Sequence, residues 1–337
     1  MTEHSTRKPR IVIYGTGQYG LEAVRIIDKK GWPIVAAVNR AGPKVGQDLG
    51  RLAGLNRDMG VIVQDCATAD YPAMNADIAI VAVYDRLRQN LPAYKRLLGA
   101  GIDVICHGAE AYFPQGADPE LAREIDALAK GGDATLTGTG IWDFSRIWSG
   151  LLIAGPSTQI RSLFHRSLTD AEAANIPLML VCGVSMTQEE YAAKNPSMIG
   201  GIYKLVPHHV IHALGYTVTR VTERREPVLA DEPVYCRQLE RDLAPGICLG
   251  TRIVVEVETA EGVNATAHIE LRILPKGETE HMAWSINGKP ASKIRVDRTD
   301  AVHTSAACMV NRIPDVMASQ PGIRLISQMG PLRPKLS

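Results

Sequence analysis

Short apolar runs alternate with amphipathic segments along the first half of the chain. Buried strands are predicted where β-branched and other apolar residues cluster, at residues 10–14, 34–38, 77–84, 103–108 and 134–138. Segments of helical character lie between them, at residues 21–30, 85–100 and 119–130. Because strands that alternate with helices form parallel sheets, residues 1–150 are predicted to form a doubly wound α/β domain.

The pattern changes in the second half, where apolar and polar residues alternate with a period of two. Alternating runs occur at residues 160–168, 251–258, 263–274, 279–286 and 292–297. Consecutive strands joined by short turns predict an antiparallel sheet, so residues 151–299 are expected to form an α+β domain. Such a sheet leaves one face to be covered, which suggests a homodimer that packs sheet on sheet.

The last part of the chain predicts a helix over residues 300–320, closed by Pro321 and Gly322. Pro314 lies inside that segment and is expected to kink the helix or restart it. Residues 300–337 are expected to return to the first domain and close it.

A glycine turn follows the first predicted strand and precedes the first predicted helix. It consists of Gly15, Thr16, Gly17, Gln18, Tyr19 and Gly20. In a dinucleotide-binding fingerprint the first glycine permits the turn, and the second lets the backbone approach a pyrophosphate. The third lets helix and strand pack, while the helix N-terminus holds the anion. The alternative is a tight turn that binds no ligand.

The second predicted strand ends at Asn39 and Arg40, where NAD-binding proteins commonly place a carboxylate on the ribose. No carboxylate stands at these two positions, and a guanidinium can bind a 2′-phosphate through two hydrogen bonds. Lys44 supplies a second candidate cation. The sequence therefore favours NADP over NAD, and NAD stays an alternative if Arg40 is only a solvated surface charge.

Composition narrows the classes of partner. The 337-residue chain has a formal net charge of +1, which gives no reason to expect nucleic acid or a membrane surface as partner. No apolar run approaches the length of a membrane span, and the six cysteines lack CxxC spacing. We expect a cytoplasmic protein without a metal site, since His208, His209 and His212 lack the HExxH pattern.

Candidate chemistry lies in the loops that follow two of the predicted strands, because open α/β sheets bind ligands beyond the carboxyl ends of their strands. The first loop carries His107, Gly108 and Glu110. Glu110 is the candidate acid–base residue beside the nicotinamide, and the alternative is a surface glutamate. His107 is a second candidate there, although a histidine at a strand end can also be a hydrogen-bonded structural residue.

The second loop carries Thr139 and aromatic residues, in a protein that is only 5% aromatic. Trp142, Phe144 and Trp148 could line a small apolar substrate pocket, whereas Trp148 could equally belong to a core cluster. Asn311, on the final predicted helix, could return to the edge of the nicotinamide or cap the kink before Pro314.

In this order, these motifs resemble the family that includes dihydrodipicolinate reductase, diaminopentanoate dehydrogenase and the NAD(P)-dependent amine dehydrogenases. The resemblance rests on the glycine turn, on Glu110 and on three further segments: KVGQDLG at 44–50, GTGIWD at 138–143, and NRIP at 311–314 followed by Pro321-Gly322. It implies a Rossmann domain, a dihydrodipicolinate reductase-like α+β domain that forms a homodimer, and reductive amination of a ketone or aldehyde with ammonia. It further implies that Glu110 accepts a proton and stabilises an iminium cation, which receives hydride from the nicotinamide.

Positions at which the sequence differs from these relatives narrow the range of expected substrates. After His208 and His209 the chain lacks the lysine and the Asp-x-Pro-Ser-Gly segment with which dihydrodipicolinate reductases bind a dicarboxylate. Residues 138–144 contain no Arg or Lys, which suggests a small carbonyl or amine substrate without a carboxylate. Two alternatives stay open. One is an amino-acid dehydrogenase such as diaminopentanoate dehydrogenase, which would need Arg146 or Arg166 in its pocket; the other is a catalytically silent NADP-binding protein.

Overall fold

The chain folds into two compact units in the computed structural model, which describes residues 7–173, 176–194 and 201–334. The first unit comprises Met1–Phe144 and Asp300–Ser337, and the second comprises Ser145–Thr299. The first unit begins with the elements β1 (Ile11–Tyr14), α1 (Gln18–Lys29), β2 (Ile34–Asn39), α2 (Leu49–Leu52), β3 (Val63–Asp65), β4 (Ile78–Val81), α3 (Leu87–Gly99), β5 (Asp103–Cys106), α4 (Pro114–Ala117), α5 (Pro119–Gly131) and β6 (Thr135–Gly138).

The second unit follows and is rich in long strands. Its elements are α6 (Ser149–Ala154), β7 (Gln159–Asp170), α7 (Ile176–Val181), α8 (Gln188–Lys194), α9 (Leu205–Ala213), β8 (Val218–Leu229), β9 (Val234–Cys236), β10 (Arg241–Leu243), β11 (Cys248–Thr259), β12 (Asn264–Arg272), β13 (His281–Lys289) and β14 (Ser292–Asp297). The chain then returns to the first unit with α10 (Ala301–Met317) and β15 (Gly322–Ile323).

The first unit is built on a seven-stranded sheet in the order β15-β6-β5-β4-β1-β2-β3. Its neighbouring strands pair in parallel, which confirms the predicted doubly wound sheet. Strand β1 lies at the point where the strand order reverses, between β2 and β4. A doubly wound sheet binds its ligand beyond the carboxyl ends of the strands at this switch point, so the glycine turn after β1 is well placed.

Helix α10 completes the core of the first unit. Its side chains Met309, Val310 and Ile313 are fully buried and pack in one cluster with Ile13 of β1 and Ile80 of β4. Burying a large apolar side chain contributes about 1.5–3 kcal/mol, which offsets the roughly 3 kcal/mol that a proline costs inside a helix. The helix therefore continues through Pro314, and the restart expected as one alternative does not occur.

The second unit is built on a six-stranded mixed sheet in the order β14-β13-β7-β12-β11-β8. The pairs β14/β13, β13/β7, β12/β11 and β11/β8 are antiparallel, as predicted. The pair β7/β12 is parallel, so the prediction of a purely antiparallel sheet is wrong there. The reason is that β7 inserts between β12 and β13, which follow one another in sequence, and hydrophobic alternation does not report such an insertion.

Strand β8 was not predicted from the hydrophobic pattern because it lies at the edge of the sheet and carries charged residues on much of its length.

The two faces of this sheet differ: His165 and Trp284 are fully buried on the inner face, while Phe164 is 36% exposed on the other. In the part of the chain that the structure describes, no helix has the length and apolar character needed to cross a membrane.

Candidate active site

The three glycines of the turn after β1 each meet a different steric requirement. Gly15 has a φ of +101°, and a Cβ there would lie 2.7 Å from the carbonyl oxygen of Ala82. A Cβ on Gly20 would lie 2.0 Å from the carbonyl oxygen of Gly15, so a side chain at either position would displace backbone. A Cβ on Gly17 would meet no atom within 4 Å, which leaves open space beside this part of the turn.

The start of helix α1 offers unsatisfied hydrogen-bonding groups to an anion. Gly17 is the N-cap residue and supplies no side-chain acceptor, so the amide groups of the first turn, from Gln18 onward, are not capped by it. The hydroxyl oxygen of Thr16 is buried and has no hydrogen-bond partner among the described residues. These groups suit a phosphate, because a helix N-terminus favours negative charge.

A cavity of about 840 Å³ adjoins the turn and is lined by the carboxyl ends of β1 to β4 and by α3. Asn39 and Arg40, at the end of β2, lie in its wall together with Lys44. Arg40 is exposed, and the ammonium group of Lys44 donates a hydrogen bond to the carbonyl oxygen of Thr16. The structure therefore brings the two predicted cations to the cavity that contains the glycine turn.

The loop after β5 meets the glycine turn through an aromatic stack. The rings of Tyr19 and His107 lie with their centroids 4.0 Å apart and their planes at 27°. Burial lowers the pKa of His107, with the charge of Asp85 acting in the opposite direction, so this imidazole is neutral near pH 7. A Cβ on Gly108 would lie 2.3 Å from the carbonyl oxygen of Tyr84, which fixes this loop closely against the end of β4.

Glu110 lies in a short 3-10 turn, Ala109–Tyr112, and its carboxylate is held by two donors. Oε1 accepts a hydrogen bond of 2.8 Å from Nη1 of Arg86, and Oε2 accepts one of 2.8 Å from the backbone N–H of Leu87. Leu87 is the first residue of α3, so the carboxylate caps that helix. The Glu110 side chain is 15% exposed. Arg86 was not among the predicted site residues, although it lies two residues after the predicted strand 77–84.

The loop after β6 is held by a fully buried ion pair. Both carboxylate oxygens of Asp143 accept hydrogen bonds from Arg312 of α10, at 2.7–3.0 Å, and both side chains are 0% exposed. Burial raises the pKa of Asp143, and the guanidinium opposes that shift. The hydroxyl of Thr139 donates a 2.8 Å hydrogen bond to Asp143, so this predicted pocket residue supports the loop from inside. Both charged residues lie in motifs named above, yet no function was predicted for them.

The aromatic residues predicted to line a pocket are divided between the two units. In the first unit, the Trp142 ring lies 5.2 Å from that of Tyr112, centroid to centroid. Gly140, beside them, has a φ of +154°, and a Cβ there would lie 2.6 Å from the hydroxyl oxygen of Tyr112. Phe144 also belongs to the first unit and Trp148 to the second, and both lie in a π-helix, Asp143–Trp148.

Two arginines of the second unit were considered as partners of a substrate carboxylate. Arg146 is buried, donates a 2.8 Å hydrogen bond to the hydroxyl of Ser167 and lies 5.3 Å from the ring centroid of Tyr203. Arg166 lies 3.8 Å from the buried carboxylate of Glu270. Both guanidinium groups thus have partners within their own unit.

The remaining candidates lie on helices. His208 and His209 lie on α9, where burial lowers the pKa of His208 to about 4 and that of His209 to about 3. Across residues 7–173, 176–194 and 201–334, no group of three or more His, Cys, Asp or Glu side chains could hold a metal ion. Asn311 is half-buried on α10, next to Arg312, and its contact with a nicotinamide stays a prediction.

Comparison with known proteins gives consistent relatives. Residues 151–333 match the family described as 2,4-diaminopentanoate dehydrogenase C-terminal domain. The 2,4-diaminopentanoate dehydrogenase of Acetoanaerobium sticklandii is 24% identical, over 94% of this chain and 92% of that protein. An amine dehydrogenase structure from Mycobacterium smegmatis is 30% identical, covers 99% of both chains and has a TM-score of 0.83. The dipicolinate-bound dihydrodipicolinate reductase of Paenisporosarcina sp. TG-14 shares only the fold, with a TM-score of 0.54 and 11% identity over 96% of this chain and 100% of that one.

These matches confirm the resemblance predicted from the glycine turn, the loops after β5 and β6, and the segment around Arg312. The family match extends over more than half of the chain, and the amine dehydrogenase structure covers nearly all of it. The chain belongs to the family of the 2,4-diaminopentanoate dehydrogenase C-terminal domain.

Proposed function

We propose that this chain is an NAD(P)H-dependent amine dehydrogenase. It aminates small ketones and aldehydes reductively with ammonia and, in reverse, deaminates the amines oxidatively. The observation that carries the proposal is the fixed carboxylate of Glu110, at the carboxyl end of β5 in the unit that contains the glycine turn. We assign cofactor binding to the first unit, and substrate recognition and dimerisation to the second unit, Ser145–Thr299.

The residues present fit a dinucleotide. The pyrophosphate would be held by the N-terminus of α1 and by the Thr16 hydroxyl, and the space beside Gly17 permits its close approach. Tyr19, His107 and Gly108 would border the nicotinamide, with Asn311 as a further neighbour. When bound, the cofactor supplies hydride in amination and accepts it in deamination.

NADP is the preferred cofactor in this proposal. Asn39 leaves the end of β2 without a carboxylate that would repel a 2′-phosphate, and Arg40 and Lys44 lie in the same cavity wall. A charge-assisted hydrogen bond contributes about 1.5–3 kcal/mol, which is roughly 10- to 100-fold in affinity. Arg40→Ala should therefore weaken NADPH binding by about that factor and leave NADH affinity nearly unchanged. Equal losses for both cofactors would remove Arg40 from this role.

Glu110 suits the proton transfers of amination. Ammonium must lose a proton before its nitrogen attacks the carbonyl carbon, and the Glu110 carboxylate would take up that proton. Returned to the hydroxyl of the carbinolamine, the same proton lets that hydroxyl leave as water. The iminium that remains is a cation, which the regenerated carboxylate stabilises until hydride reaches its carbon.

The surroundings of the candidate site support a substrate without a carboxylate. The partly exposed ring of Trp142, packed against the buried ring of Tyr112, offers aromatic surface after β6, where an apolar group could pack. Thr139 and Phe144 complete the set of pocket residues that we propose in the first unit. Arg166 lies against the carboxylate of Glu270 in the second unit, which reduces its availability to a substrate anion.

The second candidate function is 2,4-diaminopentanoate dehydrogenase, favoured by the family match and by the relative from Acetoanaerobium sticklandii. It differs from the first candidate in needing a cation for the substrate carboxylate. Oxidation of 2,4-diaminopentanoate at a kcat/KM far above that of simple amines would establish it. Arg146→Met and Arg166→Met would then show which guanidinium binds the carboxylate.

The deciding experiment measures NADPH consumption with a panel of ketones and aldehydes, with and without high ammonium. Consumption that depends on ammonium and yields a primary amine establishes reductive amination. Consumption without ammonium makes the protein a carbonyl reductase and removes the role given to Glu110. Protein that binds NADPH yet turns over none of these substrates, nor 2,4-diaminopentanoate, would be a silent nucleotide-binding protein.

We also propose a homodimer that covers the outer face of the second unit's sheet. On this face Phe164 lies edge-on to His268, with ring centroids 5.0 Å apart, and Arg166 and Arg224 lie in the adjacent cross-strand row. Glu256 of β11, cross-strand to Thr266, brings opposite charge, so two copies can pair these groups. Phe164→Glu should convert the dimer to a monomer in light scattering, whereas Leu152→Glu, on exposed surface of α6, should not.

A cytoplasmic location completes the proposal. All six cysteines are free, and four of them are buried thiols in strands β5, β9 and β11 and helix α10. Free thiols are typical of reducing compartments. Cell fractionation that places the protein in an oxidising compartment would contradict this part.

A further inference from the structure

The short segment between β4 and α3 holds the turn that carries Glu110 through four hydrogen bonds. The backbone N–H of Glu110 donates to the carbonyl oxygen of Asp85 at 2.9 Å, and that of Ala109 donates to the Asp85 carboxylate at 3.3 Å. The other two bonds come from Leu87 and Arg86 and reach the two oxygens of the Glu110 carboxylate, each at 2.8 Å.

Two of these bonds hold the backbone of the turn, and the other two hold the side chain of Glu110. Asp85 fixes the backbone of the turn, and the N–H of Leu87 is a helix-capping bond that any residue at position 87 except proline would supply. Arg86 contacts the carboxylate group of Glu110, and this contact is not needed to hold the backbone of the turn. The Arg86 side chain is 41% exposed, and an ion pair at such a position contributes little to stability because water screens it.

From this geometry we propose that Arg86 is a positioning residue for Glu110; the inference rests on the proposed acid–base role of that carboxylate. The guanidinium of Arg86 binds one carboxylate oxygen, and the N-terminus of α3 binds the other. Rotation of the carboxylate about the Cγ–Cδ bond would break both hydrogen bonds. A carboxylate oxygen offers two acceptor directions, so each oxygen keeps one for the amine nitrogen or the carbinolamine hydroxyl. Arg86 therefore acts on the rate of proton transfer and not on the binding of cofactor.

The test compares three single variants of the full-length protein. Arg86→Met removes the donor, Arg86→Lys keeps one charged donor, and Arg88→Met, two residues further along the chain in α3, is the matched control. Arg88 is 75% exposed and pairs with Asp118 at 3.1 Å, away from Glu110. The readouts are kcat and KM for ammonium-dependent NADPH consumption, the Kd of NADPH and the melting temperature.

We expect Arg86→Met to lower kcat by about 10- to 100-fold, because small misplacement of a catalytic group has effects of this size. KM for the carbonyl substrate and the Kd of NADPH should change less than about twofold, and the melting temperature by less than about 3 °C. Arg86→Lys should recover most of kcat, and Arg88→Met should match the parent. An unchanged kcat in Arg86→Met, or a loss that Arg86→Lys does not recover, would overturn the proposal.

A double variant separates this proposal from the role of Glu110 itself. Adding Arg86→Met to Glu110→Gln should cause no further loss of kcat if Arg86 acts through the carboxylate. A further loss would show that Arg86 acts on something else and would overturn the proposal. If Glu110→Gln alone keeps full activity, the proposed role of Glu110 fails, whatever the effect of Arg86→Met; if its residual rate is too low to measure, the recovery by Arg86→Lys decides.

Discussion

Two arginine–carboxylate pairs lie at the carboxyl ends of the parallel sheet, and they differ in burial. Asp143 and Arg312 are both 0% exposed, whereas Glu110 is 15% and Arg86 41% exposed. The buried pair joins the loop after β6 to α10 and is made by three hydrogen bonds. The half-exposed pair joins the loop after β5 to the segment before α3 through one hydrogen bond.

This difference indicates that an arginine–carboxylate pair can either stabilise the fold or take part in a reaction. A charge that is removed from water is stable only if other groups compensate fully for its lost hydration. The buried pair therefore holds its loop in one arrangement. A carboxylate that stays partly exposed keeps acceptor directions that a substrate can use, since water shares the cost of holding its charge. We therefore expect variants of the first pair to affect mainly stability and variants of the second mainly turnover.

The largest expected effect is on turnover in Glu110→Gln. The amide can still accept a hydrogen bond from the N–H of Leu87, but it cannot take up a proton. Loss of a general acid–base residue lowers kcat by about 10²- to 10⁴-fold. NADPH affinity should stay close to that of the parent, as measured by fluorescence titration. Residual kcat above one tenth of the parent value would contradict the assignment.

Next in size is the loss of stability in Arg312→Met. This change leaves Asp143 buried without its guanidinium, and breaking a buried pair in this way costs about 3–5 kcal/mol. Urea unfolding monitored by circular dichroism measures it. The double variant Asp143→Asn with Arg312→Met removes both charges and should recover part of the loss. Equal stability of parent and Arg312→Met would show that the pair is not the support we describe.

A smaller effect is expected in Gly140→Ala, which tests whether the held loop matters for substrate. The φ of +154° strains alanine, and its Cβ would press on the Tyr112 hydroxyl. Backbone strain of this kind costs about 1–3 kcal/mol, and kcat/KM for the carbonyl substrate should fall with it. Adding Tyr112→Phe removes the clashing oxygen and should recover part of kcat/KM. Gly131→Ala, where a Cβ meets nothing within 4 Å, is the control.

The smallest effect is expected for a pair that is mostly in water. Arg51 and Asp58 are 74% and 54% exposed, so Arg51→Met should leave the midpoint of urea unfolding almost unchanged. Urea unfolding at low and at 1 M NaCl should show this small difference disappear with salt. A loss of stability comparable with that of Arg312→Met would contradict the relation between the burial of a pair and its contribution to stability.

Much of the fold of the first unit could be predicted because apolar runs alternate regularly with amphipathic segments along its sequence. Its buried strands are continuous apolar runs, and the glycine turn marks the transition from β1 to α1. The second unit was less accessible to this reasoning. Its edge strand β8 is rich in charged residues, and the parallel pair β7/β12 joins segments far apart in the chain. Period-two alternation specifies which face a residue occupies but not which strand lies beside it.

The candidate site was predicted in part. The residues of the turn, with His107, Glu110 and Trp142, were named because they follow predicted strands. Arg86, the partner of Glu110, and the pair of Arg312 with Asp143 were not predicted, since an arginine in a sequence carries no sign of which carboxylate it will meet. Thr139 was expected to face a substrate, yet its hydroxyl contacts Asp143.

The sequence by itself determined five of the seven strands of the first unit with the helices α1, α3 and α5, the glycine turn and the family, because each depends on residues that are neighbours in the chain. Only the tertiary structure decided that Tyr19 stacks on His107, that Arg86 and the N-terminus of α3 hold Glu110, and that Arg312 reaches Asp143. Such contacts depend on how separate loops meet at the edge of a sheet, and that meeting is fixed by the packing of the whole unit.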